Sequence, residues 1–219
     1  MPVEASSRFL ALIADRVLAV IYPNMRLRLL PNRFAAIGLG GWFLLMLVLG
    51  AGLLARHVIA LPAPTGDAKL ASSLNQFRDA THPHTWLAVH VLYAECRCSR
   101  RIATHLLSTP RPVGWEEVVL WVGSGAPDPE LERRFKLQRI ARGELSRLGI
   151  DAAPLLVVLD GENRARYSGG YTDRKQGPAI DDLKIMAAAQ RGSGVSSLPV
   201  FGCAVSNRLE RELDVLPVP

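Results

Sequence analysis

The chain reads as an α/β protein: a mixed four-stranded sheet flanked by helices and preceded by a single transmembrane helix. Three observations predict this. A charge-free apolar run occupies residues 34–55. Beyond it, short apolar runs alternate with helix-length amphipathic stretches in the order β-α-β-α-β-β-α. The last two strand-like runs are separated only by Gly161-Glu162-Asn163, so they form an antiparallel hairpin. The earlier strand connections pass through helices and are parallel, right-handed crossovers.

The apolar run, Phe34–Ala55 (FAAIGLGGWFLLMLVLGAGLLA), has 22 residues. At about 1.5 Å per residue it covers the roughly 30 Å hydrocarbon core of a bilayer. A core helix of a soluble protein is rarely apolar on every face for so long. Five arginines precede the run, whereas only Arg56 and Lys69 follow closely. That asymmetry predicts a cytoplasmic N-terminus and a non-cytoplasmic C-terminal region. A cleaved signal peptide is the rival reading, with Val58-Ile59-Ala60 as a weak cleavage site. Against it, the run is longer than the usual h-region of about 7–15 residues and starts far from Met1.

Charge supports the same division. The net charge is +6, and residues 1–61 carry +4 of it through six arginines against Glu4 and Asp15. The excess therefore lies beside the membrane run, where it sets topology, and no nucleic-acid partner is expected. Within residues 1–33, a cytoplasmic segment, Phe9, Ile13, Val17 and Ile21 recur every four residues. This predicts an amphipathic helix over 7–22 that lies on the inner leaflet, docks a partner, or is a plain stub with an apolar stripe.

Residues 56–81 read as a linker that contains the Pro62–Gly66 punctuation and a short helix over 70–77. The domain proper occupies 82–191. Trp86–Tyr93 (WLAVHVLY) is a buried strand, Ser99–Leu107 a helix and Val118–Val122 a second strand. Pro129–Leu148 reads as one long helix with Leu131, Phe135, Leu145 and Leu148 on one side. Pro154–Asp160 and Arg164–Ser168 make the hairpin, and Ala179–Gln190 is the last helix. Residues 192–219 form a tail carrying Cys203.

There are three cysteines, Cys96, Cys98 and Cys203. This is too few for a disulfide scaffold and an odd number for pairing. Cys96 and Cys98 lie in YAECRCSRR, where the first strand hands over to a helix. A helix N-terminus offers free N–H groups and about half a positive charge, and Arg97, Arg100 and Arg101 add full charges. Such surroundings favour a thiolate, the form that attacks disulfides. Cys96 is expected to be the more exposed, attacking thiol and Cys98 its resolving partner, with the reverse order as the alternative. A bridge across C-x-C closes a very small ring, so distortion makes it more oxidising than a C-x-x-C pair. The tail is long enough to return Cys203 to the site as a second resolving thiol. Equally, Cys203 is a free structural cysteine without a role.

The element order, the cysteine pair after the first strand, and Gly149-Ile150-Asp151-Ala152-Ala153-Pro154 ahead of a hairpin resemble the thioredoxin-like superfamily. The resemblance covers Trp86–Gln190. It implies that Pro154 is a cis-proline facing the active site and that the protein is a redox-active thiol–disulfide oxidoreductase. The C-x-C spacing departs from the thioredoxin C-x-x-C. Together with Leu198-Pro-Val-Phe-Gly-Cys-Ala-Val-Ser206 it is similar to membrane-anchored, RedB-like proteins of the CxC type. That likeness implies a bacterial inner-membrane protein with its domain in the periplasm, acting on extracytoplasmic protein thiols or disulfides. No cofactor is implied by this reading. The alternatives are a Cu(I) chaperone, with Cys96, Cys98 and Cys203 as soft ligands for copper, and a non-catalytic interaction domain.

Among the histidines, His90 lies inside the first strand and reads as a core residue satisfied by a hydrogen bond. His105 lies two turns beyond Cys98 and reads as solvated, and His82 and His84 flank a loop proline. Glu132-Arg133-Arg134 reads as a solvated helix face with charge pairs at helical spacing. No Gly-rich phosphate loop, HExxH or GxSxG pattern occurs.

Overall fold

The computed structural model describes residues 33–214 except 59 and 176. The amphipathic segment 7–22 lies outside the described residues. The chain divides into two compact units between Leu54 and Ala55. The first contains most of helix α1, Arg33–Val58. Within it the 19-residue stretch Ala35–Leu53, of mean hydropathy 2.0, is long and apolar enough to cross a membrane.

The second unit is a mixed α/β domain. Its five-stranded sheet has the order β3-β2-β1-β5-β6. Strand β1 (Trp86–Tyr93) pairs in parallel with β2 (Trp115–Val122), and β2 pairs in parallel with β3 (Lys136–Ile140). On its other side β1 pairs antiparallel with β5 (Leu155–Leu159), which forms the hairpin with β6 (Ala165–Gly169). Central strands buried on both faces read as near-continuous apolar runs, and β1 and β5 do so.

Period-2 alternation sends successive side chains to opposite faces and so divides the core in two. Val89, Val91, Val118, Leu120, Leu155 and Val157 meet Leu70, Ala71 and Leu74 of α2 (Ala68–Asn75) and Leu145 of α5 (Arg142–Arg147). On the other face Ala88, Leu92, Val119, Leu156 and Val158 meet Ile102, Ala103 and Leu106 of α3 (Arg97–Ser108). Leu131 of α4 (Pro129–Arg134) and Ile185 and Met186 of α6 (Asp182–Gln190) complete that layer. Each fully buried Leu or Ile contributes about 1.5–3 kcal/mol of transfer free energy.

Two expectations are corrected here. The sheet has five strands, not four, and the long helix over 129–148 is instead α4, β3 and α5. Leu131 and Phe135 pack on one face of the sheet, while Leu145 and Leu148 pack on the other. Their helical spacing arose from two short helices flanking an edge strand. Lys136, Gln138 and Arg139 charge and solvate that edge, which hid its strand character; such residues blunt exposed sheet edges. The pairing with β2 then overrides local helix preference. The stretch 56–81 is also more than a spacer. The Asp67 side chain caps α2 by accepting from the Leu70 N–H at 2.8 Å, and α2 buries its apolar face in the core.

The tail folds back over the domain. Leu61 N–H donates to the Val200 carbonyl at 2.8 Å, and Val205 N–H donates to the Asp151 carbonyl at 2.7 Å. Strand β7 (Cys203–Ala204) pairs antiparallel with β4 (Ala152–Ala153), with Cys203 opposite Ala153. Helix α7 (Asn207–Asp214) buries Leu209 and is pinned by the Arg142–Glu210 and Arg208–Asp151 ion pairs.

Candidate functional site

The site forms where β1 ends. Cys96 N–H donates to the Tyr93 carbonyl at 3.0 Å, and Ser99 Oγ accepts from Tyr93 N–H at 3.0 Å, closing the turn into α3. Cys96 is the N-cap residue of α3, with extended backbone (φ −92°, ψ 120°). A cap serine or aspartate would accept a hydrogen bond from the first helical turn. Here a sulfur occupies that position, and the N–H groups of Cys98 and Ser99 face it without full hydrogen-bond geometry.

Four residues singled out in the sequence converge here. The Ala153–Pro154 peptide bond is cis. Cys96 Sγ lies 3.9 Å from the Ala153 carbonyl oxygen. Cys203, presented by β7 opposite Ala153, directs its thiol at Cys96 with the sulfurs 2.7 Å apart. Cys98, two residues on, is half-buried and lines the adjoining cavity. All three cysteines are free thiols.

Their exposure differs from expectation. Cys96 is the buried one, at 1% exposure, whereas Cys98 and Cys203 are half-buried. The N-cap position turns the Cys96 side chain inward over the helix start, and the tail then covers it. Gly202 makes that covering possible: a Cβ there would sit 1.9 Å from the Ala153 carbonyl oxygen and 2.6 Å from Pro154 Cδ.

The electrostatics follow from this geometry. Hydrogen bonds from the Cys203 and Cys98 thiols outweigh burial and hold the Cys96 thiol far below its ordinary value, with the Ser99 and Cys98 N–H groups adding to the effect. Donating to Cys96 pushes Cys98 up, and burial adds to this. Cys203 is raised for the same two reasons. The three sulfurs therefore act as one coupled group in which Cys96 is the thiol most readily ionised. The sequence pointed to the helix terminus and the arginines as the source of this thiolate. The larger contribution comes from the two other cysteines.

A cavity of about 340 Å³ opens beside the cysteines. Cys98, Pro154, Arg97, Arg101, Tyr171 and Phe201 line it. Arg101 is tied back to the Gly177 and Pro178 carbonyls.

Behind the cavity runs a polar network that the sequence showed only in part. Tyr171 shares a hydrogen bond with His90 Nδ1 at 2.9 Å, and His90 Nε2 shares one with Glu117 at 3.0 Å. Arg111 grips Glu117 at 2.5–3.1 Å and Asp182 at 2.8 Å. Asp182 in turn meets His105 Nε2 at 2.8 Å. His90 is the hydrogen-bonded core residue its strand position implied. His105 is not simply solvated but anchored to a fully buried carboxylate. Glu117 was overlooked; a carboxylate entering an apolar strand was the available signal. Burial pushes the Glu117 carboxyl up, but the bonds to His90 and Arg111 prevail and hold it to about 2. Burial raises the Tyr171 hydroxyl well above its usual range.

Among the described residues no group of three or more His, Cys, Asp or Glu side chains is arranged to hold a metal ion. No family model matches this chain. No curated protein matches it either. Three solved structures are similar to parts of it. An uncharacterized conserved protein from Geobacillus kaustophilus is 14% identical, with a TM-score of 0.45, over 56% of this chain and 77% of that one. A hypothetical protein from Sinorhizobium meliloti 1021 is 20% identical, with a TM-score of 0.45, over 60% and 82%. A thiol:disulfide interchange protein from Bacteroides sp. is 17% identical, with a TM-score of 0.38, over 60% of this chain and 87% of that one.

Proposed function

We propose that this chain is a membrane-anchored, thioredoxin-like thiol–disulfide oxidoreductase. Its domain acts on protein thiols or disulfides outside the cytoplasm, and Cys96 and Cys98 carry the exchange beside Pro154. One observation carries the reading: at the N-terminus of α3, Cys96, whose ionised form is favoured there, meets the Cys203 thiol and lies against the carbonyl that precedes a cis-proline. A structural cysteine needs no such stabilised thiolate; a sulfur that repeatedly accepts and releases a disulfide bond does. The anchor is the Ala35–Leu53 stretch of α1, and the arginine excess before it orients the domain outward.

In each exchange a thiolate attacks a disulfide sulfur, a mixed disulfide forms, and a second thiolate displaces the first product. A low thiol pKa makes Cys96 a good leaving group as well as an ionised one. The cavity lined by Cys98, Pro154 and Phe201 is the face on which the substrate is proposed to dock.

The test is exchange between the purified full chain, in detergent, and glutathione or a disulfide-bonded peptide. The wild type exchanges and Cys96→Ser does not. Exchange at an unchanged rate in Cys96→Ser, or none in the wild type at any glutathione ratio, overturns the proposal. Cu(I) titration in parallel separates out the metal-chaperone reading, for which Cys96→Ser abolishes copper binding with no exchange to lose.

A further inference from the structure

We propose that the working disulfide of this domain joins Cys96 to Cys203 of the tail, and that Cys203 is the sulfur on which substrate thiols exchange. This rests on the oxidoreductase reading and reassigns the partner of Cys96 in the exchange from Cys98 to Cys203. The starting point is access. Cys96 is sealed at 1% exposure, so an incoming sulfur cannot approach it in line. Cys203 is half-buried and lies directly against it, 2.7 Å away.

The tail is held in place for this role without a covalent bond. β7 pairs with β4 in a register that sets Cys203 opposite Ala153, and the Cys96 sulfur lies against that same Ala153 carbonyl. Upstream, Ser197 Oγ donates to the Ser168 carbonyl at 2.6 Å and Gly170 N–H to the Leu198 carbonyl at 2.9 Å. Downstream, Arg142 holds both Glu210 and the Ala204 carbonyl. Val200 and Val205 are fully buried on either side of the cysteine. Two sulfurs 107 residues apart in sequence thus meet as an intramolecular pair of high effective concentration. The alternative bridge from Cys96 to Cys98 closes a ring of three residues, in which disulfide geometry is hard to meet.

Starting from the Cys96–Cys203 disulfide, a substrate thiolate attacks Cys203 Sγ. A substrate–Cys203 bond forms, the Cys96–Cys203 bond breaks, and Cys96 leaves with the electron pair as a thiolate. Cys98 donates a hydrogen bond to the departing thiolate. A second substrate thiolate then attacks the substrate sulfur of the mixed disulfide, and Cys203 leaves and takes up one proton. The substrate dithiol has lost two electrons and become a disulfide. The protein has gained both, as a thiolate on Cys96 and a thiol on Cys203, and one proton is released overall. With a disulfide-bonded substrate the same steps run in reverse.

The chain itself supplies a convenient assay. Trypsin cuts after Arg97 and so places Cys96 and Cys98 on different peptides, while Cys203 lies on the peptide 192–208. The full chain in detergent is poised in glutathione buffer, quenched in acid, alkylated and digested without reduction. Mass spectrometry is expected to find the peptide ending at Arg97 linked to 192–208, with Cys98 alkylated. Cys98→Ser still forms that link. Cys203→Ser, checked for folding by circular dichroism, forms no intramolecular bridge and exchanges more slowly by about 100-fold, the scale on which a displaced reacting group acts. A Cys96–Cys98 link with Cys203 alkylated, or an unchanged rate in Cys203→Ser, overturns this proposal while leaving the oxidoreductase reading intact. All three cysteines alkylated at every potential, with no exchange, overturns both.

Discussion

The Cys203 thiol lies 2.7 Å from Cys96 Sγ and donates a hydrogen bond to it. That bond favours the ionised form of Cys96, although Cys96 is the most buried of the three cysteines. Burial alone would raise a thiol pKa, so the hydrogen bonds must more than offset desolvation.

The first prediction concerns that thiolate. The thiolate absorbance of the reduced full chain is expected to persist as pH falls well below the ordinary thiol value of about 8.5. Cys203→Ala removes the leading hydrogen bond and raises the midpoint. Cys203→Ser keeps a donor and restores much of the effect. A wild-type midpoint at or above the ordinary value is incompatible with this account.

Acid should weaken the domain through Glu117. Its carboxyl titrates near 4.5 when unfolded and at about 2 when folded. A depressed folded value means that the charged form is the one folding prefers. The resulting stability is complete above about pH 4.5 and is lost as pH falls toward 2. Denaturant melts between these values should show the decline, and Glu117→Gln should flatten it. Because that substitution also leaves Arg111 short of a partner in a buried network, it should cost about 3–5 kcal/mol at neutral pH.

Gly202→Ala tests the closure of the tail. Its new Cβ would overlap the Ala153 carbonyl and Pro154 Cδ, both rigid neighbours. β7 must then withdraw from β4, at a cost of about 1–3 kcal/mol. Limited proteolysis should find the tail newly sensitive, and Cys98 and Cys96 should both alkylate faster. Unchanged protection of the tail would mean that the pairing is not what holds it.

Membrane attachment is expected to depend on residues 34–55 alone. The full chain should stay with the membrane fraction through alkaline carbonate washing, and deletion of 34–55 should release it. Protease added to intact spheroplasts should reach the domain after Ala60. Protection of the domain there, with cleavage only after lysis, would reverse the proposed orientation.

Several elements were legible because local chemistry is enough to specify them. The 34–55 run has no charge and no polar face, and it forms a helix long and apolar enough to cross a membrane. Strands β1, β2 and β5 are buried on both faces, and their apolar runs reveal them without any knowledge of partners. β3 was missed because its side chains answer to its edge position: three of its five residues are exposed. The pairing of Leu131 with one core layer and Leu145 with the other is equally invisible in a helical wheel.

For the site, the sequence by itself determined which atoms are present and where they lie along the chain: a cysteine at the junction of an apolar strand and a helix, with a second two residues later and a proline ahead of a hairpin. Only the tertiary structure decided which sulfur is buried, which is the most readily ionised and which faces it. Those outcomes depend on a tail more than 100 residues away being drawn onto β4 by backbone pairing and apolar burial. Hydrogen bonding and desolvation act over a few ångströms in space and are indifferent to separation along the chain, so no local pattern could have assigned them.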